Sequence, residues 1–123
     1  MKAFESAENY LETILMLGKN GAPVRSVDIA NALGYTKASV SVAMKNLRES
    51  GHIIVTSGVI TLTKTGLNIA ESIYERHVFI SQWLISLGVD RETALADACK
   101  MEHTMSEQSF QAIKAHIESM HTS

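Results

Sequence analysis

Apolar positions recur along this chain at two different periods. Between residues 4 and 17 they fall at Phe4, Ala7, Leu11, Ile14 and Leu15, one side of a helix. Ser6 or Glu5 opens that segment, and the glycines and proline of residues 18–23 close it. Residues 24–26 read as a short strand. Ser26 then caps a helix over residues 27–33, with Asp28 favourable in its first turn. Gly34-Tyr35 turns the corner into a helix capped by Thr36, whose apolar stripe is Val40, Met44 and Leu47 at i, i+4 and i+7. Glu49-Ser50-Gly51 ends it, Gly51 being suited to a left-handed stop.

The period then drops. Ile53-Ile54-Val55-Thr56 and Val59-Ile60-Thr61-Leu62 are β-branched runs joined by Ser57-Gly58 at two-residue hairpin spacing. Thr63 caps a long helix over residues 64–87, and Gly88 stops it. Its apolar positions, Leu67, Ala70, Ile73, Tyr74, Val78, Ile80, Leu84 and Leu87, are more than one face needs, so it packs on two partners. Asp90 caps a further helix reaching residue 102 or 103, and Ser106 opens a last one over residues 107–120.

Two short helices with a tight corner form a helix-turn-helix, and a hairpin directly after the second helix is a wing. The fold class is therefore mainly α: an N-terminal winged helix-turn-helix of three helices and a β-hairpin over residues 1–64, then a helical module over residues 65–123. The second helix of the motif shows Lys37, Ser39, Ser41, Lys45 and Asn46 on its polar side, with no acid before Glu49. Such groups meet phosphates and base edges and do not perform acid–base catalysis. Lys37, Lys45 and Arg48 are the expected phosphate contacts.

Charge distribution adds to this picture although the net charge is only −2. Residues 25–65 hold five basic and two acidic groups, whereas residues 66–123 hold four basic and eight acidic. A locally positive segment beside an acidic one fits a DNA reader joined to a second module. The 46% hydrophobic content suffices for a core. With no apolar run of spanning length, no basic-plus-apolar leader and a single cysteine, Cys99, a cytoplasmic protein with no membrane partner is expected.

Cys99, Glu102 and His103 stand at i, i+3 and i+4, on one helical face. Thiolate, carboxylate and imidazole at one spot are metal ligands of mixed softness. The same trio also reads as a core cysteine beside two solvated polar residues. A cysteine hydrolase lacks the Gly-rich segment that would build an oxyanion hole, so no enzymatic turnover is expected.

Taken together, the winged helix, Glu8-Asn9-Tyr10-Leu11-Glu12, Arg76-His77 and the block from Cys99 to Ser106 resemble the diphtheria toxin repressor family, which includes iron-dependent regulators and manganese transport regulators. The resemblance covers essentially the full chain and implies a short member without an SH3-like third domain. It implies that Cys99, Glu102, His103, His77 and Glu12 are metal ligands, cysteine at the first of these being the iron-branch form. Asn9 falls where the manganese branch has aspartate and the iron branch methionine. Ser81 and Leu95 replace further ligands of the iron branch, so an ancillary site is expected to be degenerate. Thr36, Ala38, Ser39 and Val42 fall at the family's base-reading positions, and Val42 replaces a polar reader, which implies a different operator.

The resulting expectation is a homodimeric regulator, a repressor by family resemblance, with a helical dimerisation and metal-binding module. It would bind a palindromic double-stranded operator in response to Fe(II) or Mn(II) and have no small-molecule substrate. The alternatives are a metal-independent winged-helix regulator, or a redox sensor using Cys99.

Overall fold

The structure, a computed structural model, describes residues 3–121, with side chains from 7 to 120. Eight elements follow one another: α1 (Ala3–Leu17), α2 (Ser26–Leu33), α3 (Lys37–Glu49), β1 (Ile53–Thr56), β2 (Val59–Leu62), α4 (Lys64–Ser86), α5 (Arg91–Thr104) and α6 (Glu107–His121). The mainly α winged helix-turn-helix followed by three helices is thus the observed fold. The chain packs as two compact units, residues 1–72 and 73–123, so α4 begins in the first and continues in the second.

In the first unit Tyr10, Leu11 and Ile14 of α1, Ile29 and Ala30 of α2, and the α3 stripe Val40, Met44 and Leu47 close one core with Ile53, Ile60 and Ala70. Val40 and Ile29 are wholly buried. The corner between α2 and α3 is made by Gly34, at φ +70°, whose N–H donates to the Ala30 carbonyl. Thr36 caps α3: its Oγ1 accepts the Ser39 N–H at 3.1 Å. β1 and β2 pair antiparallel with Ile53 opposite Leu62 and Thr56 opposite Val59. Ser57 (φ +51°) and Gly58 (φ +80°) both take left-handed values, the two-residue turn whose twist matches a hairpin.

Several local readings are corrected. Ser26 is the first residue of α2, not its cap; the cap is Arg25, whose N–H donates to Asp28 Oδ2 at 2.9 Å. The Asp28 and Ile29 N–H groups that a Ser26 cap would take donate instead to the Arg25 carbonyl. Residues 24–26 contribute a single bridge, Val24 with Ile60, in place of a strand. Helix α1 begins at Ala3, before the expected opening at residue 5 or 6. The side chains of Phe4, Glu5 and Ser6 lie outside the described residues, as does that of His121.

The second unit is built around Ile80, Ala98 and Phe110, with Phe79, Leu84, Met101 and Met105 packed against them. Phe79 meets Phe110 edge-on, with centroids 5.9 Å apart and rings at 83°. Asp90 caps α5 by accepting the Thr93 N–H at 2.9 Å, and this bond holds its carboxyl below the usual range. Ser106 caps α6 by accepting the Ser109 N–H at 3.1 Å. Helix α5 runs to Thr104, past the expected end, so Glu102 and His103 stand inside its last turn.

Candidate metal centre and nucleic-acid interface

Glu102 is wholly buried, 0% exposed, on the inward face of α5. Its Oε2 lies 3.0 Å from His77 Nδ1 on α4, and its Oε1 lies 3.2 Å from His103 Nε2. A carboxylate removed from water is held only where partners meet it, and here the His77 imidazole hydrogen-bonds Oε2 while the His103 imidazole stands beside Oε1. Two ligand atoms bound at right angles to one ion at ~2.1 Å are ~3 Å apart, so these nitrogen–oxygen spacings suit adjacent donors to a divalent cation. The donor set of one carboxylate and two imidazoles fits Fe(II), Mn(II) or Zn(II) alike.

Of the other residues expected at this centre, Cys99 is exposed, one turn before Glu102 on α5. Glu12 and Asn9 are half-buried and one turn apart on α1. Ser81 is buried, and its hydroxyl donates to the Val78 carbonyl at 3.0 Å. Leu95 is half-buried.

Arg76 had no role in the sequence reading beyond its place in a motif. Its guanidinium is buried and spans the junction of α5 and α6. Nη1 donates to the Glu102 carbonyl at 3.1 Å and to the Met105 carbonyl at 2.6 Å, while Nη2 donates to Glu107 Oε1 at 2.7 Å. The guanidinium carbon sits 5.1 Å from the centre of the Phe110 ring. Its hydrogen bond, followed by that of Gln111, holds the Glu107 carboxyl below the usual range. The partners of Arg76 lie 26 to 31 residues downstream, where no periodicity rule links them.

On the first unit, Thr36, Lys37, Ala38, Ser39, Ser41, Val42, Lys45 and Arg48 are all exposed on α3. Val42 is 60% exposed while its neighbour two positions earlier, Val40, is sealed. The Thr36 hydroxyl accepts the Ser39 N–H and donates to Ser39 Oγ at 2.9 Å, so these two side chains are partly engaged in the cap. Arg25 adds a basic group that sequence reasoning did not single out. Its Nη1 donates to the Ser57 carbonyl at 3.2 Å, tying the start of α2 to the wing turn.

Two family models match successive parts of this chain. Residues 2–59 match the sequence model of the iron dependent repressor N-terminal DNA binding domain, and residues 63–123 match that of the iron dependent repressor metal binding and dimerisation domain. An uncharacterised HTH-type transcriptional regulator of Methanocaldococcus jannaschii is 32% identical, with 93% of this chain and 94% of that protein covered. The transcriptional regulator MntR of Escherichia coli is 36% identical, with 89% and 72% covered. Among solved structures, a manganese-dependent transcriptional repressor in complex with manganese superposes with a TM-score of 0.83 at 24% identity, a likeness of fold. It covers 91% of this chain, and this chain spans only 52% of that one.

Proposed function

The chain belongs to the iron-dependent repressor family, and on that premise we propose that Glu102 and the imidazoles beside it form the sensing site of a repressor whose operator is read by α3. The resemblance read from the sequence motifs is borne out. The protein is a metal-dependent transcriptional repressor with a DNA-binding segment and a dimerisation segment. The proposed division of labour is DNA binding by residues 1–64, with metal binding and dimerisation by residues 65–123. The observation that carries the metal site is the wholly buried Glu102 carboxylate between His77 and His103.

The proposed ligands are His77, Cys99, Glu102 and His103, with Glu12 and Asn9 of α1 as the sequence motif assigns them. A bound divalent ion supplies two positive charges to a place where the chain has sequestered a negative one. His77 presents Nδ1 from α4, while Glu102 presents its carboxylate oxygens and His103 its Nε2 from the last turn of α5. Iron or manganese is the proposed effector, supported by the family, whose model names iron, and by a solved structure of the same fold whose name specifies manganese.

At the DNA, Lys37, Lys45 and Arg48 of α3 meet phosphates. Thr36, Ala38, Ser39 and Val42 face base edges, and Ser41 joins the same DNA-facing side. A homodimer reading a palindrome in the cytoplasm, with no catalytic role, completes the proposal. Among the described residues no helix is long and apolar enough to cross a membrane. Regulation is a linkage effect: coupling of about 1.4 kcal/mol between metal and DNA binding changes operator affinity tenfold.

The test is anaerobic binding to DNA from the protein's own upstream region in chelator, then with Fe(II), Mn(II) and Zn(II) in turn, beside His77→Ala. Metal-dependent affinity that the variant loses is the expected result. Equal affinity in chelator and in every metal would reduce the protein to a metal-independent DNA binder.

A further inference from the structure

We propose that Arg76 is a positioning residue for metal binding: it presets the last turn of α5, so that Glu102 and His103 meet the ion in a ready-made arrangement. This rests on the metal-site reading above and deepens it.

The last carbonyls of any helix have no partner inside it, and its final turn frays unless something outside satisfies them. Helix α5 ends at Thr104, and Met105 is already extended (φ −93°, ψ 135°). Arg76 takes a carbonyl on each side of that break, Glu102 and Met105, and fixes Glu107 in the first turn of α6 with its other nitrogen. One planar fork thus holds the backbone on both sides of the α5–α6 junction. The turn it holds carries two of the proposed ligands. Another, His77, is the next residue of α4. Helix α4 therefore grips Glu102 twice, by its main chain through Arg76 and by its carboxylate through His77.

Charge decides what kind of role this is. A buried guanidinium beside a cation site opposes the ion electrostatically, so any benefit to affinity has to come from geometry. Ligands that are ordered beforehand avoid the entropy cost of being ordered at binding. Removing Arg76 thus has opposite consequences under the two roles. Loss of positioning weakens metal binding, whereas loss of a mere repelling charge strengthens it.

The experiment titrates Mn(II) calorimetrically into the full chain and into Arg76→Met, Arg76→Lys and His77→Ala. Amide hydrogen exchange of residues 102–106 is followed in chelator and in excess Mn(II). Arg76→Met is expected to bind about tenfold to hundredfold more weakly, the usual range for losing an outer-shell support. Its amides should exchange faster in chelator and regain protection in excess Mn(II). Arg76→Lys should recover only part of the affinity, because an ammonium is a point donor without the fork. Wild-type or tighter affinity in Arg76→Met, or unchanged exchange in chelator, overturns the proposal. Should that variant not fold, Arg76→Lys carries the test, because it keeps the charge and loses the fork: wild-type or tighter affinity there has the same force. Wild-type binding that His77→Ala weakens and the Arg76 variants do not would overturn this proposal alone. No Mn(II) binding by the wild type would overturn the metal-site reading and this proposal together.

Discussion

His77 and Glu102 are 25 residues apart in the chain, and their Nδ1 and Oε2 atoms lie 3.0 Å from one another. This pairing holds a carboxylate that is fully shielded from water. Without an ion, an ionised group in such a place is a cost that its partners only partly offset.

Glu102→Gln separates that cost from its use. The amide keeps the shape and loses the charge. The metal-free variant is expected to melt at the wild-type temperature or a few degrees above it. Excess Mn(II) at about a hundredfold its dissociation constant should stabilise the wild type by about 2.7 kcal/mol and leave the variant unmoved. Calorimetry with and without Mn(II) checks both signs, and equal stabilisation of the two proteins would sink the assignment of Glu102 as a ligand.

Val40 and Val42 are two positions apart on α3 and differ completely in surroundings, one sealed in the core and the other 60% exposed. Val40→Ala should cost about 2 kcal/mol of stability through reduced burial and the cavity left behind. Val42→Ala should stay within about 0.5 kcal/mol of wild type and alter the preferred operator sequence. Urea unfolding and selection from a randomised operator library measure the two effects. A stability loss in Val42→Ala matching that of Val40→Ala would contradict the placement of Val42.

Lys37, Lys45 and Arg48 are exposed along the same helix. As phosphate partners they carry little sequence information, so replacing any one by alanine should weaken operator and non-operator DNA alike. The slope of log affinity against log salt should become shallower by about 1 for each such substitution. An unchanged slope for one of them removes that residue from the interface.

What was legible in the sequence was local. The α3 stripe, the Thr36, Asp90 and Ser106 caps and the Ser57-Gly58 turn are each decided within a few residues, and each stands as the spacing requires. The Ser26 cap failed because the helix starts one residue earlier, with the Arg25 carbonyl taking the Asp28 and Ile29 N–H groups. The face carrying Cys99, Glu102 and His103 followed from helical spacing. The spacing could not say which of them is sealed, since that depends on how α4 packs on α5. Glu102 proves wholly buried and Cys99 exposed. Arg76 was illegible as a support because its carbonyl partners belong to the backbone, which leaves no mark in residue identity.

Gly66 lies in the first turn of α4 with ordinary helical backbone, where alanine is favoured over glycine by about 1 kcal/mol. Here the preference is overruled. A methyl group at Gly66 would collide with the His52 carbonyl, and that carbonyl is held in place by the Thr63 N–H at 3.1 Å. Gly66→Ala is therefore expected to destabilise the first unit by about 1–3 kcal/mol, the range for an overpacked site. A lowered urea midpoint with an unchanged slope is the signature, and a raised midpoint would mean that α4 can move away from His52 at little cost.

Glu107 gives the second unit an acid sensitivity of known sign. The Arg76 hydrogen bond holds its carboxyl below the usual range, so the folded protein gives up this proton at lower pH than the unfolded chain does. The stabilisation is complete above the unfolded value of about 4.3 and is lost as pH falls through the lowered folded value. Its size is modest, because the Glu107 side chain is 61% exposed and water screens the pair. Glu107→Gln keeps an acceptor for Arg76 and cannot titrate, while every other titration is shared with the wild type. The melting-temperature advantage of the wild type over Glu107→Gln should therefore be steady near neutrality and shrink as the pH falls below the ordinary glutamate range and through the lowered folded value. A difference that stays constant across that window would show that the Glu107 charge contributes nothing to the clamp at Arg76.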